Sequence, residues 1–340
     1  MSKKNTFKNL RYSLYIVIIM GFIIFYYLLV NPILYYVSKS HDGIQASENN
    51  LKNHVQYLTS TKKERNYKET ETLNKVGEYI FNHFKKAGCD KVNYQEFKAS
   101  GNTYKNVICD FNGKTEKIIV VGAHYDVDSD NTFLAENETV KEYFAGADDN
   151  ASGVAGIMEL ATIIGKNKNN INKSIQIVAY NLEEMPFFDS EQMGSYIHAK
   201  SHYDKKTDID YMISLEMIGY FSDNKIQTYP INFLNWFYPS KGNFIAIVGK
   251  LFDFNIQYLK VKMIKNSDIL VKSLSAPSFI NGASFSDHRN YWHFGYKAYM
   301  VTDTAFFRNP NYHKTTDTIN TLDFNKMKEV VNGVYGIIMK

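Results

Sequence analysis

The chain has 340 residues, 44% of them hydrophobic, enough to bury a large core. Its net charge of +4 is slight, and its lysines are spread along the chain instead of forming a stripe, which speaks against a nucleic-acid partner. Only two cysteines occur, Cys89 and Cys109, with no zinc-type spacing; a disulfide between them and two unpaired thiols in or near strands both fit.

No residue from Tyr12 to Ser38 is charged, and the run from Tyr12 to Val30 is apolar enough to cross a bilayer, which takes about 20 residues. Lys3, Lys4, Lys8 and Arg11 precede it, so the positive-inside rule leaves residues 1–11 in the cytoplasm. Tyrosines near both ends (Tyr12, Tyr15; Tyr26, Tyr27, Tyr35, Tyr36) suit an interfacial belt. The run exceeds a usual signal-peptide core and no small-x-small site follows it, so residues 12–34 read as an uncleaved signal anchor. Everything after about His41 is then expected outside the cytoplasm, periplasmic or extracellular, as one domain over 45–340.

Helical periodicity covers Ser47–Ser60 and Glu69–Ala87, with Gly88 as the stop. Lys91–Phe97 and Tyr104–Phe111 read as paired strands around a turn at Ser100-Gly101-Asn102. Lys117–Ala123 and Ser174–Tyr180 are continuous apolar runs, the mark of strands buried on both faces. Between them lie a polar loop, Val127–Ala147, and a helix capped by Asn150 and running to Gly165. A helix over Glu191–Ala199, strands at Tyr211–Leu215, Phe244–Val248 and Ala298–Val301, and a last helix over Phe324–Ile338 complete the reading. This alternation predicts a three-layer α/β sandwich with a mostly parallel central sheet, and ligands beyond its carboxyl strand ends.

Acidic residues gather at those ends. His124 follows a buried strand, with Asp126 two residues on to accept its second imidazole N–H. Asp148 and Asp149 sit side by side between glycines, a repulsion that a divalent cation removes. Glu183 and Glu184 are paired at a strand end and must point different ways, so one suits a metal and the other a general base. Glu216 ends another strand, and His313 lies in a loop after the last one.

The order His-x-Asp, Gly-Ala-Asp-Asp-Asn-x-Ser-Gly, Glu-Glu, Glu before apolar-Gly, and a late His resembles the M28 family of co-catalytic zinc aminopeptidases over roughly residues 45–340. Segments Leu215–Tyr220, Ser286–His288 and Val301–Phe306 resemble a bacterial membrane-anchored subgroup. The resemblance implies a zinc-dependent exopeptidase fold (phosphorylase/hydrolase-like) and two Zn2+ ions, other divalent metals being compatible. It implies that Asp148 bridges the ions, that His124 and Glu216 complete one site, and that Glu184 and His313 complete the other. Glu183 would be the general base, Asp126 would hold His124, and Asp149, Asp287 and His288 would support from behind. The Asp148–Asp149 peptide would be cis. Two departures stand out. Glu216 occupies a position where many relatives use Asp, and Ile280–Phe285 lacks the Tyr that some secreted relatives place before Ser-Asp-His.

The implied reaction is hydrolysis at the free N-terminus of a peptide, with Met185-Pro186-Phe187-Phe188 as candidate pocket wall. A glutaminyl cyclase on the same fold and a catalytically silent binding module are the rivals. Cyclases usually lack the second Asp of the pair, and silent modules lose ligands.

Overall fold

Short runs rich in Val, Ile and Ala with no room for charge pair in the middle of one eight-stranded sheet. The computed structural model describes residues 3–40, 45–128 and 143–339, with side chains from residue 11 onward. Residues 129–142 of the expected polar loop, the side chains of Lys3, Lys4 and Lys8, and residues 41–44 lie outside the described residues. The strands are β1 (Lys91–Ala99), β2 (Asn102–Phe111), β3 (Thr115–His124), β4 (Lys173–Tyr180), β5 (Ile209–Glu216), β6 (Phe244–Lys250), β7 (Leu270–Ala276) and β8 (Ala298–Thr302). Their order is β1-β2-β4-β3-β5-β8-β6-β7. The centre, β4-β3-β5-β8, is parallel, and its strands are buried throughout their carboxyl-terminal halves. The β1–β2 hairpin joins antiparallel on one side, and β6 runs antiparallel to β8 on the other.

Helices cover both faces. They are α1 (Lys3–Val30), α2 (Glu48–Thr59), α3 (Thr70–Ala87), α4 (Gly153–Lys166), α5 (Gly194–Asp204), α6 (Asn255–Asn266), α7 (His288–His293) and α8 (Phe324–Ile338). On one face α2, α3, α4, α6 and α8 bury Leu51, Ile80, Ile157, Leu160, Met263 and Val331. On the other, α5 and α7 bring Ala199, Tyr291 and Trp292 against Val120, Val178 and Met212. Local chemistry fixes the ends. Ser47 Oγ accepts from Asn50 N at the start of α2, Gly88 ends α3 at φ 88°, and Asp323 accepts from Lys326 N to open α8. Cys89 and Cys109 form a disulfide that ties the end of α3 to β2.

The expected helix over Glu191–Ala199 is displaced to Gly194–Asp204. Met193 is extended and Gly194 N donates to Asn181 O (2.8 Å), so the chain cannot turn helical earlier. The α1 helix stops at Val30, short of residue 34, because Asn31 is left-handed (φ 48°) and Pro32 has no amide to donate. The strand set also lacked β7, and α6 and α7 went unread.

Beneath α5 a buried polar chain crosses the layer. Tyr180 and Tyr291 hydroxyls meet at 2.8 Å, and Tyr291 meets His198 Nδ1 at 2.5 Å. His202 Nε2 reaches Gln176 Oε1 at 2.9 Å, and Gln176 donates to Asp110 (2.7 Å). Burial pushes His202 down to about 4. A base with a depressed folded pKa takes its proton only in the unfolded chain, so its share of stability is whole above pH 6.5 and is lost as pH falls toward 4. Urea unfolding of His202→Gln and wild type at several pH values should therefore show the wild type losing about 3 kcal/mol more between pH 6.5 and 4. Parallel pH profiles for the two proteins would rule out a neutral His202.

Candidate metal centre

His124, Asp126, Glu183, Glu184 and Glu216 sit at or just beyond carboxyl strand ends, where the parallel topology opens a crevice. His124 is the last residue of β3 and Glu216 the last of β5; Glu183 and Glu184 follow β4, and His313 follows β8. Left-handed residues adjoin the cluster: Leu182 (φ 60°) before the Glu pair, Met217 (φ 50°) after Glu216, and His313 itself (φ 54°). Non-glycine residues there cost roughly 1–3 kcal/mol each, so the surrounding contacts must hold them.

The two histidines share one carboxylate. Asp149 Oδ1 lies 3.4 Å from His124 Nε2, and its Oδ2 lies 3.1 Å from His313 Nε2. Glu216 Oε1 stands 3.5 Å from His124 Nε2, and Glu184 Oε2 stands 3.5 Å from His313 Nε2. Glu183 Oε2 is farther off, 3.9 Å from His124 Nε2. Asp128, which sequence reasoning passed over although it lies two residues beyond Asp126, reaches His313 Nδ1 at 3.1 Å. Asp126 does two things: Oδ1 lies 3.5 Å from His124 Nδ1, and the carboxylate accepts from the backbone amides of Glu183 and Glu184 (3.2 and 3.1 Å).

Asp148 is elsewhere. Its oxygens accept from Gly219 N (2.9 Å) and Asn309 Nδ2 (2.7 Å), and it is Asp149, not Asp148 as expected, that lies between the two histidines. The cis peptide likewise falls one residue later, at Asp149–Asn150. Sequence spacing could not separate two adjacent acids; the turn Ala147–Ser152, with Asp149 and Asn150 out of helical geometry, decides which one faces inward. Asn150 locks that turn by donating to Leu215 O (2.9 Å) and accepting from Gly153 N and Met217 N (both 3.1 Å). A Cβ at Gly153 would meet Leu215 O at 2.6 Å, so α4 can start this close to β5 only with glycine there. Asp317, four residues after His313 and also missed, accepts from the amides of Asp148 and Asp149 (2.9–3.1 Å).

Ser286, not Asp287 or His288, touches the cluster directly: its Oγ donates to Glu216 Oε2 and meets Ser214 Oγ, each at 2.7 Å. Asp287 is buried and feels the charges of His124 and Glu216; burial pushes it up to about 7. His288 turns away, with Nε2 3.0 Å from Ala283 O and its ring edge-on to Trp292. Nor do residues 185–188 wall the apolar pocket beside Glu216. Phe187 is core against Tyr67 and Tyr104, and the pocket is lined instead by Tyr229, Phe244, Met300, Phe306 and Tyr312. Tyr312 stacks on His313 (3.8 Å between ring centres); burial, then the charges of Asp149 and Glu184, hold its phenol neutral.

Without a cation the cluster is under electrostatic load. Burial, and then mutual repulsion, drive Glu183 and Glu184 well above the usual carboxylate range, and burial raises Glu216 despite His124. Burial also opposes ionisation of Asp149, but His124 and His313 pull it below that range. Burial would lower His313, yet Glu184, Asp128 and Asp149 push it up to about 12. His124 Nδ1, His313 Nε2 and Glu184 Oε1 are buried with no hydrogen-bond partner among the described residues. Three groups of donors each gather within 4.8 Å among the described residues: His124, Asp149 and Glu216; Asp128, Glu184 and His313; and His124, Glu183 and Glu184. Imidazole and carboxylate donors converging in threes, with orphaned atoms, fit zinc or a similar divalent ion.

A mixed α/β sheet with such a cluster at its parallel strand ends defines the exopeptidase-like class, and comparison with known proteins agrees. Residues 106–338 match the model of peptidase family M28, and the chain belongs to that family. Uncharacterized protein YfbL of Escherichia coli (strain K12) is 39% identical over 327 residues, 94% of this chain and 98% of that one. Leucine aminopeptidase 1 of Metarhizium robertsii is 28% identical over 274 residues, 78% of this chain and 61% of its own length. The fold is shared with solved structures of a leucine aminopeptidase precursor from Bacteroides thetaiotaomicron VPI-5482 (TM-score 0.67, 17% identity, 88% and 99% covered). It is also shared with a glutaminyl cyclase from Bacteroides thetaiotaomicron (TM-score 0.66, 17% identity, 87% and 98% covered).

A buried arginine underlies the cluster. Arg65, unremarked in the sequence, is fully buried beneath the cluster and donates to the carbonyls of Tyr125 (3.0 Å), Ala145 (2.8 Å), Gly146 (3.0 Å) and Leu58. It joins the chain just after His124 to the turn carrying Asp149. Arg65→Met should lower the unfolding free energy by about 3 kcal/mol or more, since four carbonyls lose a donor and, among the described residues, only Gly146 O keeps another, from Ala151 N. Arg65→Lys, without the planar fork, should recover little. Wild-type stability of Arg65→Met in urea would show that those carbonyls find other partners.

Proposed function

We propose that the chain is a membrane-anchored zinc aminopeptidase, with Asp149 as the ligand shared between two ions. The observation that carries this reading is the placement of one Asp149 oxygen toward each histidine, each histidine having its own carboxylates beside it. His124 and Glu216 would hold one ion, and Glu184, His313 and Asp128 the other. Zinc bound there supplies Lewis acidity to the scissile carbonyl and the attacking water.

The chain's own residues do the rest. Glu183 lies beside His124 but farther from its Nε2 (3.9 Å) than Asp149 and Glu216, so it takes the proton of the attacking water and delivers it to the leaving amine. Its raised affinity for protons, from burial and neighbouring charge, suits a group that must both accept and release one. Asp126 fixes the backbone from which Glu183 and Glu184 project. The neutral phenol of Tyr312, stacked on His313 at the pocket wall, is placed to donate to the oxyanion as it develops. The acidic rim favours a free α-amine, and the apolar pocket beside Glu216 favours an apolar first side chain.

The N-terminal helix supports an anchor. Arg11–Val30 is 20 residues long, apolar and mostly unburied by protein, and the Cys89–Cys109 disulfide suits an oxidising compartment beyond the membrane.

Leu- and Ala-peptides should lose their first residue, whereas Gln-peptides should yield no pyroglutamate; the opposite pattern would favour the cyclase. Glu183→Gln should keep its metal, by elemental analysis, and lose roughly 10²–10⁴-fold in kcat. Metal loss in that variant would remove Glu183 from the role of base. The adjacent acids separate cleanly: Asp149→Asn should bind little metal, while Asp148→Asn should retain it and lose about 1–2 kcal/mol of stability from its weakened hydrogen bonds. The reverse outcome would return the bridge to Asp148.

A further inference from the structure

The helix α1 is docked on the catalytic half by a polar collar at its end. Lys260 Nζ donates to Val30 O and Asn31 O (3.2 and 3.1 Å), Ser273 Oγ donates to Val30 O (2.9 Å), and Asn31 Nδ2 donates to Ser275 Oγ (2.9 Å). Toward the middle of the helix the contacts turn aromatic. Phe22 and Tyr26 meet Phe237 (5.9 and 5.2 Å between ring centres), and Phe25 meets Phe233 (5.9 Å). Phe233 and Phe237 belong to a stretch, residues 226–240, without a charged residue and bracketed by Lys225 and Lys241. Within it Trp236 is 78% exposed and Ile231 is exposed as well.

Length decides where this stretch sits. At 1.5 Å per residue, the 20 residues Arg11–Val30 span about 30 Å, which is the thickness of the hydrocarbon core with nothing to spare. If α1 crosses a bilayer, Val30 marks its outer edge, and Phe25 and Phe22 lie about 8 and 12 Å inside. Rings packed against those two cannot stand in water above the edge. Trp and Tyr at such a boundary, with lysines flanking, are what an interfacial segment requires.

We propose that the segment 231–237 is seated in the outer leaflet beside α1, a second membrane contact of this chain that rests on reading α1 as the anchor. Its inward residue, Leu234, is buried and lines the apolar pocket that reaches Glu216, together with Tyr229 and Tyr238. The pocket is thereby held at the lipid boundary, and one short segment has lipid on one side and the pocket on the other.

The chain's two tryptophans make the test direct, because Trp292 is buried and hydrogen-bonded to Ala298 O. The full chain is reconstituted in phosphatidylcholine–phosphatidylglycerol vesicles, with and without acyl-chain-brominated phosphatidylcholine, and floated on a density gradient in high salt. Floated wild type should lose emission in brominated vesicles, and floated Trp236→Phe should not. A wild type that floats but is quenched no more than Trp236→Phe overturns the seating and leaves the anchor intact. A wild type that does not float overturns the anchor, and the seating with it.

Discussion

Four carboxylates, Asp149, Glu183, Glu184 and Glu216, are held together in a buried crevice, and their mutual repulsion is the constraint that shapes what surrounds them. Each would be expensive to bury alone as an anion. The fold answers in layers of decreasing directness. His124 and His313 face the carboxylates, and the charge of Arg65 lies behind them. A further set of acids, Asp126, Asp148, Asp303 and Asp317, is turned mainly to the backbone, although Asp126 also reaches His124 Nδ1. These accept from backbone amides of Glu183, Glu184, Gly219, Tyr220, Ala305, Asp148 and Asp149, and so fix the loops that aim the inner four. Acid residues thus divide by what they bind, and Glu184 Oε1 in the inner set and both oxygens of Asp287 beside it are buried without a hydrogen-bond partner among the described residues. A fold with this imbalance is arranged for cations from outside the chain.

Much of this was legible in the sequence, for identifiable reasons. The strands β3, β4, β5 and β8 are buried on both faces, so they read as apolar runs, and their carboxyl ends then located His124, Glu183, Glu184 and Glu216. What escaped depends on backbone path. Asp148 and Asp149 are chemically identical neighbours, and a turn invisible to spacing rules selects the second. Arg65 and Asp317 act through main-chain groups distant in sequence, a partnership with no local signature. The β7 strand, Leu270–Ala276, mixes Lys272 and two serines with its apolar residues because it is an edge strand, and α6 shows apolar spacing (Ile256, Leu259, Met263) that was there to be read.

The docking of α1 changes how the N-terminal run should be understood. A simple tether would need only length and apolarity, and a flexible link would follow it. Here Lys260, drawn down to about 8 by burial, spends its ammonium on the last carbonyls of α1, and Ser273 shares Val30 O with it. Those carbonyls are the ones a helix leaves unsatisfied at its C-terminus, and a cation there also meets the negative end of the helix dipole. The helix is therefore a structural element of the same body as β7 and α6, and its orientation carries through to the pocket wall at Leu274 and Tyr238.

The two departures from the family pattern find their explanation in neighbouring side chains. A glutamate at position 216 carries one more methylene than aspartate, which would let its carboxylate wander. Ser286 donates to one of its oxygens and is itself braced by Ser214 from the same strand, leaving the other oxygen facing His124. The extra reach is thus taken up by a hydroxyl pair and not by movement of β5. No tyrosine stands before Ser-Asp-His, but Tyr312, from a different loop, borders the pocket beside Glu216 and lies flat on His313. Stacking on a candidate ligand fixes the ring plane more firmly than an exposed loop would, while Phe306 closes its other approach. A phenol so placed is tied to the imidazole of His313, so that both rings move together or not at all.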